Sequence, residues 1–215
     1  MKPGKETSDT LSPSVEATTH IAVPARRRTA ADYVALALAT CGVGFIPVAP
    51  GTWGSLAGVA LYVGFGGAAD ALLARDPRRL GTFGGGAPAL RIASAEQFQL
   101  LRTLALLILI AAVTLVGVWA ATRTEKLIEK KDPGIVVIDE VAGQLITFLF
   151  VPRGAPAWLI ITGFIAFRLF DIWKPYPIRR LEALESGLGI MADDVLAGFY
   201  AAALVALVAA FATLI

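Results

Sequence analysis

Two stretches of this chain hold no charged residue over a length that matches the core of a bilayer. Residues 103–121 (TLALLILIAAVTLVGVWAA) are 19 uncharged residues, and residues 195–215 (VLAGFYAAALVALVAAFATLI) are 21. A helix needs about 20 such residues to cross roughly 30 Å of hydrocarbon, so both runs predict transmembrane helices. The rest of the chain agrees. Of its 215 residues, 56% are hydrophobic and 17% charged, against about 25% charged in an average globular protein. A chain of this length has too little interior to hide so much apolar surface from water. The same figures exclude a disordered chain. A single cysteine excludes a disulfide-stapled module. A net charge of +2 gives no bulk electrostatic drive toward nucleic acid, so none is expected as a partner.

Residues 1–32 differ from the rest of the chain. They are polar, contain the only histidine (His20), end near Arg26-Arg27-Arg28, and lack the apolar run of a signal peptide. They read as a disordered cytoplasmic tail. Residues 33–215 read as a single membrane-embedded domain. Its first segment, 33–49, is uncharged but broken by Gly42, Gly44 and Pro47. That pattern predicts a short helix followed by a Gly/Pro-rich re-entrant or interfacial loop near residues 42–55. Residues 55–73 form a further span interrupted by Asp70, with small residues suited to close packing in lipid. Residues 74–102 read as a flexible connector loop. Residues 134–151 and 156–173 are apolar apart from a few charges and predict two more helices. The expected architecture is all-α, a polytopic membrane helical bundle with about four to five spanning helices. With the N-terminus inside, twelve Lys and Arg residues fall on the cytoplasmic side and six outside, the bias expected of a multi-pass membrane protein.

This topology gathers five carboxylates at one end of the bundle: Asp139, Glu140, Asp171, Asp193 and Asp194. Oxygen donors of this kind suit a hard cation such as Mg2+, and so many carboxylates in a low-dielectric setting do not all stay ionised without one. Acidic pairs also complement a helix N-terminus. That alternative fits Asp193-Asp194 better than Asp139-Glu140, which follow four apolar residues. Arg168, Asp171 and Lys174 are spaced to share one helix face, and Pro175 and Pro177 end the helix. Such cations can bind phosphate; equally, Arg168 and Asp171 can form a structural pair beside a snorkelling Lys174. In Pro50-Gly51-Thr52-Trp53-Gly54-Ser55, glycines let backbone N–H groups face an anion, and Thr52 and Ser55 add hydroxyls. The same residues also suit a plain N-cap. No histidine lies in the apolar domain, which excludes a Ser–His–Asp set. Cys41 has Pro47 rather than arginine six residues on, so it reads as a packed core thiol. Hydrolysis here would use a metal-activated water.

Three stretches are jointly specific: 42–55 (GVGFIPVAPGTWGS), 131–147 (KDPGIVVIDEVAGQLIT) and 167–198 (FRLFDIWKPYPIRRLEALESGLGIMADDVLAG). In this order they resemble the phosphatidylglycerophosphatase A family of bacterial inner-membrane lipid phosphatases. The resemblance runs from about residue 33 to the C-terminus outside the 74–102 connector. That connector and the tail depart from the compact family pattern. The resemblance implies a Mg2+-dependent phosphatase at the cytoplasmic leaflet of the inner membrane, converting phosphatidylglycerol phosphate to phosphatidylglycerol and inorganic phosphate in phospholipid biosynthesis. It implies Asp139, Glu140, Asp171 and Asp194 as catalytic residues, with Asp193 joining them around the metal. It implies Pro50, Gly51, Thr52, Gly54, Ser55, Arg168 and Lys174 as the phosphate-binding set. Two other readings fit intramembrane carboxylates: a small cation-binding transporter, though no inverted halves are visible, and an assembly protein with structural ion pairs.

Overall fold

The computed structural model of the protein describes residues 27–74, 88–152 and 154–212. Among them all regular structure is helical. Seven helices occur in chain order: α1 (Ala30–Thr40), α2 (Pro50–Ala74), α3 (Pro88–Ile128), α4 (Ile138–Thr147), α5 (Ala157–Trp173), α6 (Ile178–Leu181) and α7 (Ser186–Ala212). The all-α expectation holds. The tail before residue 27, with His20, and the connector over 75–87 lie outside the described residues.

The helix ends reflect local chemistry. Thr29 and Asp32 form a capping box, so α1 starts at Ala30, inside the range read as tail. It stops at Cys41, which is left-handed at φ 47° and is followed by Gly42 at φ 72°. Cys41 is therefore exposed at a helix end and is not the packed core thiol expected. Pro50 opens α2, where its missing N–H costs nothing. The irregular loop therefore ends at residue 49, and residues 50–55, expected within it, are the first turns of α2. Residues 88–102, expected in the connector, are helical and open α3. Their Ala, Leu, Arg, Gln and Glu content favours helix, and Pro88 sits at its first position.

α4 is ten residues long, about 15 Å at 1.5 Å per residue, so it does not cross a bilayer by itself as 134–151 was expected to. α7 starts nine residues before the apolar run that predicted it. Among the described residues, two helical segments are long and apolar enough to span: Gln99–Ile128 and Ser186–Ala212. Only 28% of the most apolar stretch of each is buried inside the molecule, which is not how a water-soluble protein treats its core helices. Side chains such as Ile108, Leu115, Ile161 and Leu207 face outward.

Three apolar clusters hold the helices together. The first joins Tyr62, Leu106, Ile110, Leu145, Phe148 and Val205. The second packs α1 alanines Ala35 and Ala39 on Ala120, Ala121, Ile138 and Met191. The third joins Phe167, Ile178, Ala197 and Ala201. The start of α4 is tied to the end of α1 by the Val137 N–H, which donates to the Ala39 carbonyl at 2.8 Å. That tie, with α2 and α7 packed on either side, sets the position of the acidic residues at the head of α4.

Candidate active site

Four segments meet around one polar cavity of about 420 Å³. The loop and start of α2 bring Pro50 and Gly51, and α4 brings Asp139 and Glu140. The end of α5 brings Arg168, Asp171 and Lys174, and α7 brings Asp193 and Asp194. All five carboxylates singled out in the sequence line it. Their placement on helices differs from expectation. Asp139 and Glu140 sit in the first turn of α4, where the dipole favours them. Asp193 and Asp194 lie about two turns inside α7, beyond that benefit. The dipole explanation thus fits the other pair from the one the sequence favoured.

The charges sort into partners. Arg168 donates to Asp171 at 2.5 Å and stands 4.0 Å from Glu140. Its guanidinium also reaches the buried Ser55 hydroxyl at 3.5 Å. Lys174 is the left-handed C-cap of α5 at φ 48°, just before Pro175, so it leaves the shared face expected for Arg168, Asp171 and Lys174. It reaches across to Asp193 at 2.6 Å and also pairs with Glu182. Burial alone would lower the Lys174 ammonium, but its bonds to Asp193 and Glu182 outweigh that and hold it above the usual lysine range.

Of the five carboxylates singled out in the sequence, three remain without a cation held tightly against them. Asp139, Glu140 and Asp194 place one ligand oxygen each within 4.8 Å of one another. Asp139 Oδ1, Glu140 Oε2 and Asp194 Oδ2 are buried and have no hydrogen-bond partner. Asp139 is 9% exposed and Asp194 3%. Buried carboxylate oxygens without donors are costly unless a cation satisfies them. Oxygen donors gathered at this spacing could hold a metal ion, and their hardness suits a hard cation.

The expected phosphate loop is only partly at the cavity. Pro50 and Gly51 line it, whereas Thr52, Gly54 and Ser55 do not. Gly51 and Gly54 serve close packing instead. A Cβ on Gly51 would collide with Glu140 and stand 3.1 Å from Arg168, and one on Gly54 would lie 2.8 Å from Val137 Cβ and 3.2 Å from Glu140 Oε2. Ser55 donates to the Gly51 carbonyl at 2.9 Å and accepts from Arg168 at 3.5 Å. Sequence reading missed Asp132, Gly134, Val136 and Ile190, which also line the cavity. Asp132 lies inside the 131–147 motif, and its place before Pro133-Gly134 signalled a turn leading into α4. A larger cavity, about 620 Å³, opens between α1, α3 and α7. Its one carboxylate, Asp32, is locked to Arg123 at 2.6 Å, so it offers no comparable chemistry.

Comparison with known proteins identifies a family. Residues 36–209 match the family model described as "PgpA: Phosphatidylglycerophosphatase A". A Bacteroides thetaiotaomicron protein, provisionally named a phosphatidylinositol-3-phosphatase, is 35% identical over 77% of this chain and 86% of its own length. A Haemophilus influenzae phosphatidylglycerophosphatase A is 36% identical over 74% of this chain and 78% of its own. An Escherichia coli phosphatidylglycerophosphatase A is 39% identical over 40% and 51% respectively. No solved structure matches the chain.

Proposed function

Because this chain belongs to the phosphatidylglycerophosphatase A family, we propose that it is a Mg2+-dependent lipid phosphatase. Its substrate in this reading is phosphatidylglycerol phosphate, and its products are phosphatidylglycerol and inorganic phosphate. One observation carries the proposal: Asp139, Glu140 and Asp194 converge within 4.8 Å in a cavity that also holds Arg168 and Lys174. Six carboxylates and two cations line that cavity. A phosphoryl dianion would be repelled by this excess of negative charge, so productive binding calls for added positive charge.

Asp139, Glu140 and Asp194 would hold Mg2+, with Asp193 and Asp171 at its margin. When bound, the ion supplies charge neutralisation and a more acidic water. Arg168 is braced by Asp171 and Ser55, and its guanidinium is positioned to neutralise phosphoryl oxygens. Lys174, held by Asp193 and Glu182, adds a second positive charge at the cavity wall. Asp171 lies outside the three-carboxylate cluster and is oriented by Arg168. It is assigned as the base that takes the proton of the attacking water. The Gly51 backbone borders the same space, and the departing glycerol oxygen takes its proton from solvent or a carboxylic acid.

The basic stretch from Arg123 near the end of α3 through Lys131 beyond it leads directly into Asp132 and Gly134 at the cavity rim. By the positive-inside rule this supports reading the site as lying on the cytoplasmic face of a multi-pass protein of the bacterial inner membrane. A second substrate, a 3-phosphorylated inositol lipid, is raised by the Bacteroides relative. Both are phosphomonoesters on a lipid headgroup.

Purified protein should release inorganic phosphate from phosphatidylglycerol phosphate with Mg2+, lose that activity in EDTA, and regain it with added Mg2+. Asp171→Asn and Asp194→Asn should each cut turnover by about 10²–10⁴ in protein that still folds. No release removes the proposal and returns the transporter reading, whereas release indifferent to EDTA removes the metal alone. Faster release from the inositol lipid reassigns the substrate.

A further inference from the structure

Gln144 has no part in the proposed hydrolysis, yet it is the most anomalous side chain beside the site. It lies one turn beyond Glu140 on α4 and is fully buried. Neither its amide oxygen nor its amide nitrogen has a hydrogen-bond partner. A buried amide left unsatisfied is destabilising, and methionine or leucine would fill the same volume without that cost. A residue kept there against stability calls for a reason.

Its surroundings supply one. Glu140 and Gln144 are four residues apart on a helix, so their side chains share a face. α2 covers that face with glycines in the same register. A Cβ on Gly54 would stand 3.2 Å from Glu140 Oε2, and one on Gly58 would stand 2.8 Å from Gln144 Cβ. The two polar side chains therefore lie in series under one helix. Glu140 Oε2 is itself buried without a partner. The buried hydroxyls of Ser55 and Thr147 are already used, donating to the Gly51 and Gly143 carbonyls at 2.9 and 3.0 Å. Gln144 is thus a donor without an acceptor on the same face as an acceptor without a donor.

We propose that Gln144 is a positioning residue for Glu140. Its amide N–H group donates through one bridging water to Glu140 Oε2, and so holds that carboxylate oxygen, with its second lone pair free, in place for the divalent cation. The inference rests on the cation reading of the Asp139, Glu140 and Asp194 cluster. Bonds of this kind, made to a ligand rather than to the metal, fix the ligand's orientation and typically change metal affinity by about 10–100-fold when removed.

The test is Gln144→Met, which conserves volume and removes both amide atoms. Mn2+ binding to the purified protein is measured by electron paramagnetic resonance without substrate, alongside the thermal midpoint. The expected result is a midpoint equal to or above that of the unaltered protein, with Mn2+ affinity about 10–100-fold weaker. Turnover should fall while the KM for lipid stays the same. If Gln144→Met does not fold, Gln144→Asn keeps the amide but draws it back by one methylene, and its Mn2+ affinity must still fall. Unchanged Mn2+ affinity in a protein that hydrolyses lipid normally overturns the role of Gln144 alone. A lowered midpoint with unchanged affinity does the same, because it marks a packing role. An unaltered protein that binds no Mn2+ overturns the cation reading and this inference with it.

Discussion

At the scale of single residues, the chain sorts its few charges into locked pairs and an unpaired core. Asp32 is the clearest locked case. It is buried and accepts from the Thr29 N–H at 2.6 Å, the Thr29 hydroxyl at 2.9 Å and Arg123 Nε at 2.6 Å. The Thr29 amide leads these in holding the carboxyl at about 2, against burial, which pushes it up from 3.8. A folded-state value below the ordinary one means that the unfolded chain takes up this proton first as pH falls. The contact therefore contributes its full stability above about pH 4 and loses it as pH falls toward 2. The gap in thermal midpoint between the unaltered protein and Asp32→Asn should be full near pH 6 and close toward pH 2. A gap that stays constant over that range would remove Asp32 as the anchor of α1 on α3. The residue scale was also where sequence reading reached furthest. All five carboxylates it assigned to the site line one cavity, because charge inside an apolar bundle is rare enough to stand out. What it could not see was partnership. Lys174 pairs with Asp193 and Glu182 rather than with its own helix, since a left-handed cap before Pro175 turns it away.

At the scale of elements, glycine decides how near the helices come. A Cβ on Gly198 of α7 would strike the Gly143 carbonyl and lie 3.0 Å from the Gly143 Cα. One on Gly143 of α4 would lie 2.6 Å from the Asp194 carbonyl. Backbone meets backbone at this crossing, and the crossing sets how far Asp194 stands from Asp139 and Glu140. Gly198→Ala should cost about 1–3 kcal/mol of stability. It should also cut turnover by about 100-fold, the scale expected for a misplacement of about 1 Å at a reacting centre. Gly64→Ala, on an α2 face with nothing within 4 Å, should leave turnover unchanged and raise the midpoint slightly, because alanine is the better helix former. Equal behaviour of the two variants would show that the α4–α7 approach does not set the site. Elements were less legible than residues. The apolar runs located α3 and α7, because length and absence of charge are direct physical requirements of a span. Their ends were not so visible. α7 begins at Ser186, in a Gly-containing stretch (SGLGIMADD) that reads locally as a turn. Packing overrides that preference, since Gly187 allows close approach to the Val118 carbonyl on α3. The same happened at residues 50–55, where Pro and Gly suggested loop and the chain is helix.

At the scale of the whole molecule, polar and apolar surfaces divide the substrate between two environments. The cavity of about 420 Å³ suits a phosphorylated glycerol headgroup, not two acyl chains as well. The outer faces of α3 and α5 offer the complement, with Leu115 72% and Ile172 73% exposed. Ile172 lines the cavity and also faces outward, so the polar site opens beside apolar surface. A lipid substrate would thus react with its headgroup in the cavity and its chains against the helices or in the bilayer. Binding energy from those chains would then hold the phosphoryl group at the proposed site, and truncated substrates would lose it. Each buried methylene is worth at most about 0.8 kcal/mol, or about four-fold in affinity. A series of phosphoglycerol lipids of increasing chain length should therefore show kcat/KM rising steeply through the short chains, then levelling once the chains reach across the apolar surface. Glycerol phosphate itself should fall about 10³-fold or more below the longest member. A flat series, with the soluble ester as good as the lipid, would mean that the cavity alone supplies recognition. The apolar surface beside Ile172 would then have no part in catalysis.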